Sequence, residues 1–353
     1  MRELLSRTLD VPFHRLFRTL GRPVTAPLEI SFALSYKCAC RCRTCHSLSM
    51  ALEPEMTPEE YSTVFQRISF QPFSVTLTGG EPFLRENFME IAASACAELA
   101  PAIVFIETCG DLPDFTSEAI RELTDSFPGV WFAVKIPLDG TQEKMDWMRG
   151  DSAGSFERFL QTFSILKTMP GQNLATVIGV PVSKYNEDTA AGLLREAFRL
   201  YPDAVALEFA GRMEALGAPA SVSPDPGKLP GLLASYRKLA REHKTQHGTP
   251  RMLMNLYSRR AAAAATALSG EGRRGLCYAG FSSIYVSPSG SVMDCPGAKA
   301  ATAPCPRDHC SRTRYLLPLA VLRWLPQRFE KKSVNCLLSL SVFFRAKTLA
   351  FFL

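Results

Sequence analysis

Leu28-Glu29-Ile30-Ser31-Phe32-Ala33-Leu34 runs through Ser35-Tyr36-Lys37 into Cys38-Ala39-Cys40-Arg41-Cys42-Arg43-Thr44-Cys45. The first seven residues form an apolar, strand-like run, and the cysteines follow it directly. Cys38, Cys42 and Cys45 are spaced Cys-x3-Cys-x2-Cys. Three thiolates on one tight loop can hold three irons of a 4Fe-4S cluster, which leaves the fourth iron open to a small molecule. A structural zinc site asks for four protein ligands, usually from Cys-x2-4-Cys pairs, and a lone triplet does not supply them.

Downstream of this loop, strand-like and helical runs alternate. Strands are predicted at Leu28–Leu34, Phe73–Thr78, Ala102–Glu107, Val130–Ile136, Leu174–Val180 and Ala204–Ala210. Helices are predicted at Pro58–Ile68, Glu86–Leu99, Phe115–Phe127, Ser155–Lys167, Glu187–Leu200 and Leu229–His247. The first helix carries a clear start signal: Thr57 as N-cap, Pro58 at the first helical position and Glu60 at the capping-box position. Strand and helix alternating at this spacing imply a parallel sheet with right-handed crossovers. The second strand ends in Gly79-Gly80-Glu81-Pro82.

Strand side chains alternate with period two, so each run sorts into two faces. Val75 and Leu77 oppose Ser74, Thr76 and Thr78. Phe132, Val134 and Ile136 oppose Ala133 and Lys135. Val205, Leu207 and Phe209 oppose Ala204, Ala206 and Glu208. The bulky faces should meet the helices, which sends Thr76, Thr78, Lys135 and Glu208 into the interior of a curved sheet. A packed eight-stranded barrel fills that interior with Val, Ile and Leu. Polar groups there suit a polar ligand better than a purely structural Lys135–Glu208 ion pair, because desolvation makes such a pair a poor source of stability.

The triplet and the Gly79–Pro82 turn, each closing a predicted strand, together resemble the radical S-adenosylmethionine (radical SAM) superfamily. The resemblance implies a partial (β/α)6 TIM-like barrel. It implies a 4Fe-4S cluster on Cys38, Cys42 and Cys45, with Cys40 spare, and S-adenosylmethionine with its methionine amino group held by Gly79, Gly80, Glu81 and Pro82. In that chemistry an electron from the cluster cleaves the sulfonium, and the 5′-deoxyadenosyl radical takes hydrogen from substrate. Pro137-Leu138-Asp139-Gly140, Met145-Asp146, Arg149-Gly150 and Ser155-Phe156 are similar to a segment of the branch with C-terminal cluster domains, which implies Asp139 and Arg149 as cofactor-side residues beside Lys135 and Glu208. Asn186 matches a residue after the fifth strand of relatives, or simply caps the next helix. Four positions depart from the family pattern. Thr44 replaces an aromatic residue, Pro137 replaces a serine, Met145 stands where histidine is common, and Thr108-Cys109-Gly110 stands where Thr-Asn-Gly is common, with Cys109 expected in the lumen.

Cys277, Gly290 and Cys295 are similar to the opening of a SPASM/Twitch auxiliary domain, with Ser287-Pro288-Ser289-Gly290 as its hairpin turn. The full set of cysteines does not follow. A one-cluster domain from Cys277, Cys295, Cys305 and Cys310 stands beside two other readings, structural cysteines or a zinc site. The expected organisation is an amphipathic segment at 1–27, a radical SAM core at 28–250, an auxiliary region at 251–310 and a basic apolar tail at 311–353.

Composition bounds the rest. The chain has 353 residues, 46% of them hydrophobic, enough for a substantial core. Of eleven cysteines, four crowd into residues 38–45, which reads as intracellular metal binding and not as a secreted disulfide framework. No signal peptide and no spanning run is read, so the cytoplasm is expected. The net charge of +6 is uneven: residues 299–353 hold ten Lys/Arg against two Asp/Glu. The excess of basic residues thus lies outside the core, which argues against a nucleic-acid interface there. The amphipathic segment is expected to pack on the following domain in preference to a membrane surface. Partners implied by the resemblance are a reductant such as flavodoxin or ferredoxin and a substrate, with peptide modification favoured. The alternatives are cofactor biosynthesis of the GTP-cyclase kind, or a non-catalytic iron–sulfur or zinc scaffold.

Overall fold

The computed structural model describes residues 27–45, 47–50, 54–211, 222–243, 248–268 and 283–293. The N-terminal amphipathic segment, Cys277, Cys295, Cys305, Cys310 and the basic tail lie outside the described residues.

Six strands follow one another in the chain: β1 (Glu29–Ser35), β2 (Ser74–Gly79), β3 (Ile103–Glu107), β4 (Trp131–Pro137), β5 (Leu174–Val182) and β6 (Ala204–Phe209). Each pairs in parallel with the next, so every crossover is made by a helix on the outer face. The helices are α1 (Pro58–Arg67), α2 (Phe88–Leu99), α3 (Pro113–Ser126), α4 (Glu143–Met148), α5 (Ser155–Thr168), α6 (Ala190–Arg199), α7 (Leu229–Glu242) and α8 (Thr249–Leu268). The α/β architecture of a partial TIM-like barrel is as the sequence led us to expect. The capping box at α1 forms in both directions, with Glu60 N–H on Thr57 Oγ1 and Thr57 N–H on Glu60 Oε2.

The alternation sorted the faces of β2 and β4 correctly, while on β6 Leu207 and Phe209 line the cavity together with Glu208. Phe32 packs edge-on to Tyr61 and Phe65 of α1, outside the sheet. Thr76, Thr78, Lys135 and Glu208 all line the interior cavity. Two features add to the six-strand core. A hairpin of β7 (Ser283–Val286) and β8 (Val292–Met293) turns at Ser287–Gly290, with Gly290 at φ +82°. Its first strand pairs in parallel with β1, giving the order β6-β5-β4-β3-β2-β1-β7-β8. The 20-residue helix α8 packs against β6 and contributes Tyr257, Arg260 and Ala264 to the cavity wall. From sequence only Ala261–Ala265 read as a helix end. Tyr257 and Arg260 of α8 line the cavity while Arg251 and Asn255 are exposed, so polar residues fall on two sides of the helix and blur its amphipathic period.

Candidate cofactor site

The cysteine loop leaves β1 at Ser35 and is pinned from two sides. Gly80 N–H donates to the Ser35 carbonyl at 2.7 Å, and Glu81 N–H donates to the Lys37 carbonyl at 2.8 Å. These contacts lay the Gly79–Gly80 turn flat on the start of the loop. A Cβ on Gly79 would lie 2.1 Å from the Ser35 carbonyl oxygen, and one on Gly80 would lie 2.2 Å from that of Lys37. Gly79 also sits at φ +143°. Only glycine permits this approach. On the far side, Arg41 N–H donates to the Arg149 carbonyl at 3.2 Å and Arg43 N–H to the Met148 carbonyl at 2.9 Å. Arg43 stacks on Trp147 with its guanidinium 4.2 Å from the ring centre.

Glu81 is completely buried and spends its carboxylate on the protein. Its Oε1 accepts from Phe83 N–H at 3.1 Å, and its Oε2 accepts from Cys109 N–H at 2.6 Å. Thr108 Oγ1 lies 2.9 and 2.8 Å from the two oxygens. Burial nonetheless pushes its pKa above the usual carboxylate value. The side chain of Glu81 therefore ties the end of β3 to the turn, and the backbone of Gly79 and Gly80 is what faces the cavity.

Arg149 is a second node. Its Nε donates to Asp139 at 3.0 Å, Nη1 to Asp111 at 2.9 Å and Nη2 to the Pro137 carbonyl at 2.8 Å. It is 1% exposed, so it is no surface arginine. Asn186 Nδ2 donates to the carbonyls of Asp139 and Pro181, both at 2.9 Å, while Asn186 Oδ1 accepts from Ser183 N–H at 2.8 Å. Asn186 thus fastens the loop after β5 to the loop after β4 and does not cap α6, whose N-cap is Thr189. Met145 is buried in the core.

Cys38, Cys42 and Cys45 are half-buried on the cavity wall, whereas Cys40 is buried and its thiol donates to Asp111 Oδ2 at 2.9 Å. The Cys40 and Cys109 sulfurs and an Asp111 oxygen lie within 4.8 Å of one another. Contact with Cys40, then burial and the charge of Asp139, hold the Cys42 thiol well above its ordinary pKa. At Cys38 a bond with Cys109 pulls the other way, but Cys40 and burial outweigh it and the pKa rises to about 12. Metal binding at these thiols would release their protons. Among the described residues no disulfide links the six cysteines.

The cavity, about 1110 Å³, runs from these thiols to a charged ladder on the lumenal faces of the strands. Lys135 Nζ bridges Glu107 at 2.9 Å and Glu208 at 2.6 Å, and Thr78 Oγ1 donates to Glu107 at 3.0 Å. Gly179 leaves room beside the pair. Glu29 and Arg260 meet at 3.1 Å. Glu107, Asp111, Arg85 and Tyr257 were missed from sequence. Glu107 was within reach, because Phe105 and Glu107 oppose Val104 and Ile106 by the same alternation used on β2, β4 and β6. Arg85, which donates to the carbonyls of Leu34 and Met56, carries no local signal.

The residues present fit an iron–sulfur cluster and a zwitterionic amino-acid ligand: three half-buried thiols share one pinned loop, and a side-chain-free glycine cradle lies against it. Residues 33–197 match the model of the Radical SAM superfamily. The mycofactocin maturase MftC of Mycolicibacterium smegmatis is 27% identical over 180 residues, 50% of this chain and 43% of that protein. MftC of Mycobacterium tuberculosis is 29% identical over 177 residues, 49% of this chain and 41% of that protein. The chain thus spans less than half the length of these curated relatives. Among solved structures, Streptococcus suis SuiB bound to S-adenosylmethionine aligns over 88% of this chain and 69% of its own, with TM-score 0.56 at 13% identity. The anSMEcpe structure with AdoMet and a peptide bound aligns over 76% and 74%, with TM-score 0.52 at 16% identity, so both likenesses are of fold. Residues 33–197, a little under half of the chain, are thus similar to the radical SAM superfamily.

Proposed function

We propose that this chain is a radical SAM enzyme that modifies a peptide, drawing electrons from a flavodoxin- or ferredoxin-type reductant in the cytoplasm. The observation that carries this reading is the thiol loop of Cys38, Cys42 and Cys45 clamped against Gly79–Gly80 at the mouth of a polar cavity. Loaded with a 4Fe-4S cluster and S-adenosylmethionine, such a site supplies a 5′-deoxyadenosyl radical by reductive cleavage of the sulfonium.

The chain's own residues have separable tasks. Cys38, Cys42 and Cys45 ligate the cluster. Gly79 and Gly80 admit the methionine end of the cofactor to within backbone distance. Arg149, Asp111 and Asp139 brace the cysteine loop, and Arg149 and Asp139 also line the cavity. Lys135, Glu107 and Glu208 make the lumen polar and orient what enters it. A cavity of this size has room for a cofactor together with part of a substrate. A peptide substrate is supported by the names of relatives: MftC is a maturase, and SuiB has been solved with the precursor peptide SuiA. No helix of the described residues is long and apolar enough to cross a membrane. Cys277, Cys295, Cys305 and Cys310 are candidates for a second cluster.

The test is anaerobic formation of 5′-deoxyadenosine from S-adenosylmethionine by reconstituted, dithionite-reduced protein beside Cys42→Ala. Product from the wild type and none from the variant is the expected result. A wild-type chain with a full four-iron complement that forms no product would reduce the site to a scaffold. Iron beyond four per chain would report the second cluster.

A further inference from the structure

Cys109 stands at the cavity end of β3, in the same pocket wall as the three ligating cysteines. Its position is fixed more firmly than a loop cysteine's. Its N–H is held by Glu81 Oε2 at 2.6 Å, and its predecessor Thr108 contacts both oxygens of the same carboxylate. Its successor Gly110 sits at φ +76°, with N–H on Thr108 Oγ1 at 3.1 Å and a missing Cβ that would lie 2.5 Å from Ile136 Cγ2. The backbone cannot rotate the thiol away without breaking this network. The thiol meets those of Cys38 and Cys40. Cys40 is already engaged with Asp111, itself paired with Arg149, whereas Cys109 meets the Glu81 carboxylate besides the two thiols. A further soft donor is therefore held against Cys38 in the wall that also carries Cys42 and Cys45, next to the Gly79–Pro82 turn where the cofactor's amino-acid end would sit.

We propose that Cys109 is a fourth protein ligand of the cluster on Cys38, Cys42 and Cys45, holding the open iron until S-adenosylmethionine displaces it. The inference rests on the cluster assignment made under Proposed function and deepens it. Displacement breaks one iron–sulfur bond and makes bonds from iron to the cofactor's amino and carboxylate groups. The departing thiolate takes up one proton, and no electron moves. In the resting protein the open iron is shielded from water and oxygen, and radical generation waits on cofactor binding. A competing internal ligand also weakens cofactor binding by the fraction of time it occupies the iron.

The test uses the full chain, reconstituted anaerobically with iron-57 and sulfide, and reads Mössbauer spectra of the oxidised cluster with and without S-adenosylmethionine. The expected result has two parts. Wild type without cofactor shows four thiolate-bound irons, and added cofactor makes one iron distinct. Cys109→Ala shows the distinct iron from the start and binds S-adenosylmethionine about tenfold more tightly, the gain expected if the thiolate holds the iron nine-tenths of the time. A wild type with four irons, one of them already distinct without cofactor, overturns the role of Cys109 and leaves the triplet intact. Failure of the wild type to assemble a four-iron cluster overturns the underlying assignment instead. The wild-type pair of spectra decides the matter even where Cys109→Ala does not load.

Discussion

The Arg149 guanidinium donates to the Asp111 carboxylate at 2.9 Å, and both side chains are buried. The pair joins the loop after β3 to the segment after β4. The same arginine reaches Asp139 and the Pro137 carbonyl, and its own carbonyl receives Arg41 N–H from the cysteine loop. Three loops at the carboxyl ends of the strands are thus braced by one residue in the cavity wall.

Loss of this brace should be costly. Arg149→Leu strands two buried carboxylates, and breaking a buried pair in this way costs about 3–5 kcal/mol. Arg149→Lys keeps the charge but cannot serve three acceptors with the planar fork, so about 1–3 kcal/mol should be lost. Anaerobic urea denaturation checks both values. Iron retained per chain should fall in the same order, because the cysteine loop loses its outer support.

Gly80 and Gly129 form a contrasting pair. A Cβ at Gly80 meets the Lys37 carbonyl oxygen at 2.2 Å, while one at Gly129 meets nothing within 4 Å. Gly80→Ala must push the turn off the loop, with a cost of about 1–3 kcal/mol and loss of S-adenosylmethionine binding by calorimetry. Gly129→Ala should stay within about 0.5 kcal/mol of wild type and bind normally. Equal behaviour of the two variants would show that the close approach at Gly80 is not what shapes the cradle.

Lys135 gives a pH signature. Burial pulls its pKa down, but Glu107 and Glu208 push it up by more, and it ends above its ordinary value. A raised folded pKa means the stabilisation is complete below the unfolded value of about 10.4 and is lost only as pH climbs through the folded one. Lys135→Met should therefore cost about 1–3 kcal/mol, with a gap from wild type that is flat between pH 7 and about 9.5. The gap should narrow above that. Denaturation midpoints at three pH values suffice, and a gap already closing near pH 8 would show the lysine to be unpaired in solution.

Much of this site could be read without coordinates, for a definable reason. The triplet, the Gly79–Pro82 turn and the lumenal set Thr76, Thr78, Lys135 and Glu208 are local signals, fixed by spacing or by strand alternation. Glu107 obeys the same alternation and could have been included. Asp111, Arg85 and Arg149 act through partners distant in sequence, so no window holds both ends of their bonds. Arg149 could as well have been a surface arginine until burial decided it. Helix α8 escaped because its polar residues are split between water, at Arg251 and Asn255, and the cavity, at Tyr257 and Arg260, and β7 because its pairing with β1 spans most of the chain.

Asn186 offers the sharpest discrimination between a donor and an acceptor role. It is buried, accepts at Oδ1 from the Ser183 N–H and hydroxyl, and donates from Nδ2 to the carbonyls of Asp139 and Pro181. Asn186→Ala leaves these groups without partners and should cost about 1–3 kcal/mol. Asn186→Asp is nearly isosteric and keeps the acceptor, yet it aims a second carboxylate oxygen at two carbonyls. That oxygen can be tolerated only as a hydroxyl, so the folded pKa of the new acid must exceed its unfolded value of about 3.9. The sign follows: the penalty is full at neutral pH and shrinks as pH falls through the folded pKa, where a proton restores one donor. Asn186→Asp should therefore be less stable than Asn186→Ala at pH 7 and should close on it, or pass it, near pH 5. Parallel pH lines for the two variants would mean that the donated bonds to Asp139 and Pro181 contribute nothing. The loops after β4 and β5 would then have to be held together by Arg149 alone.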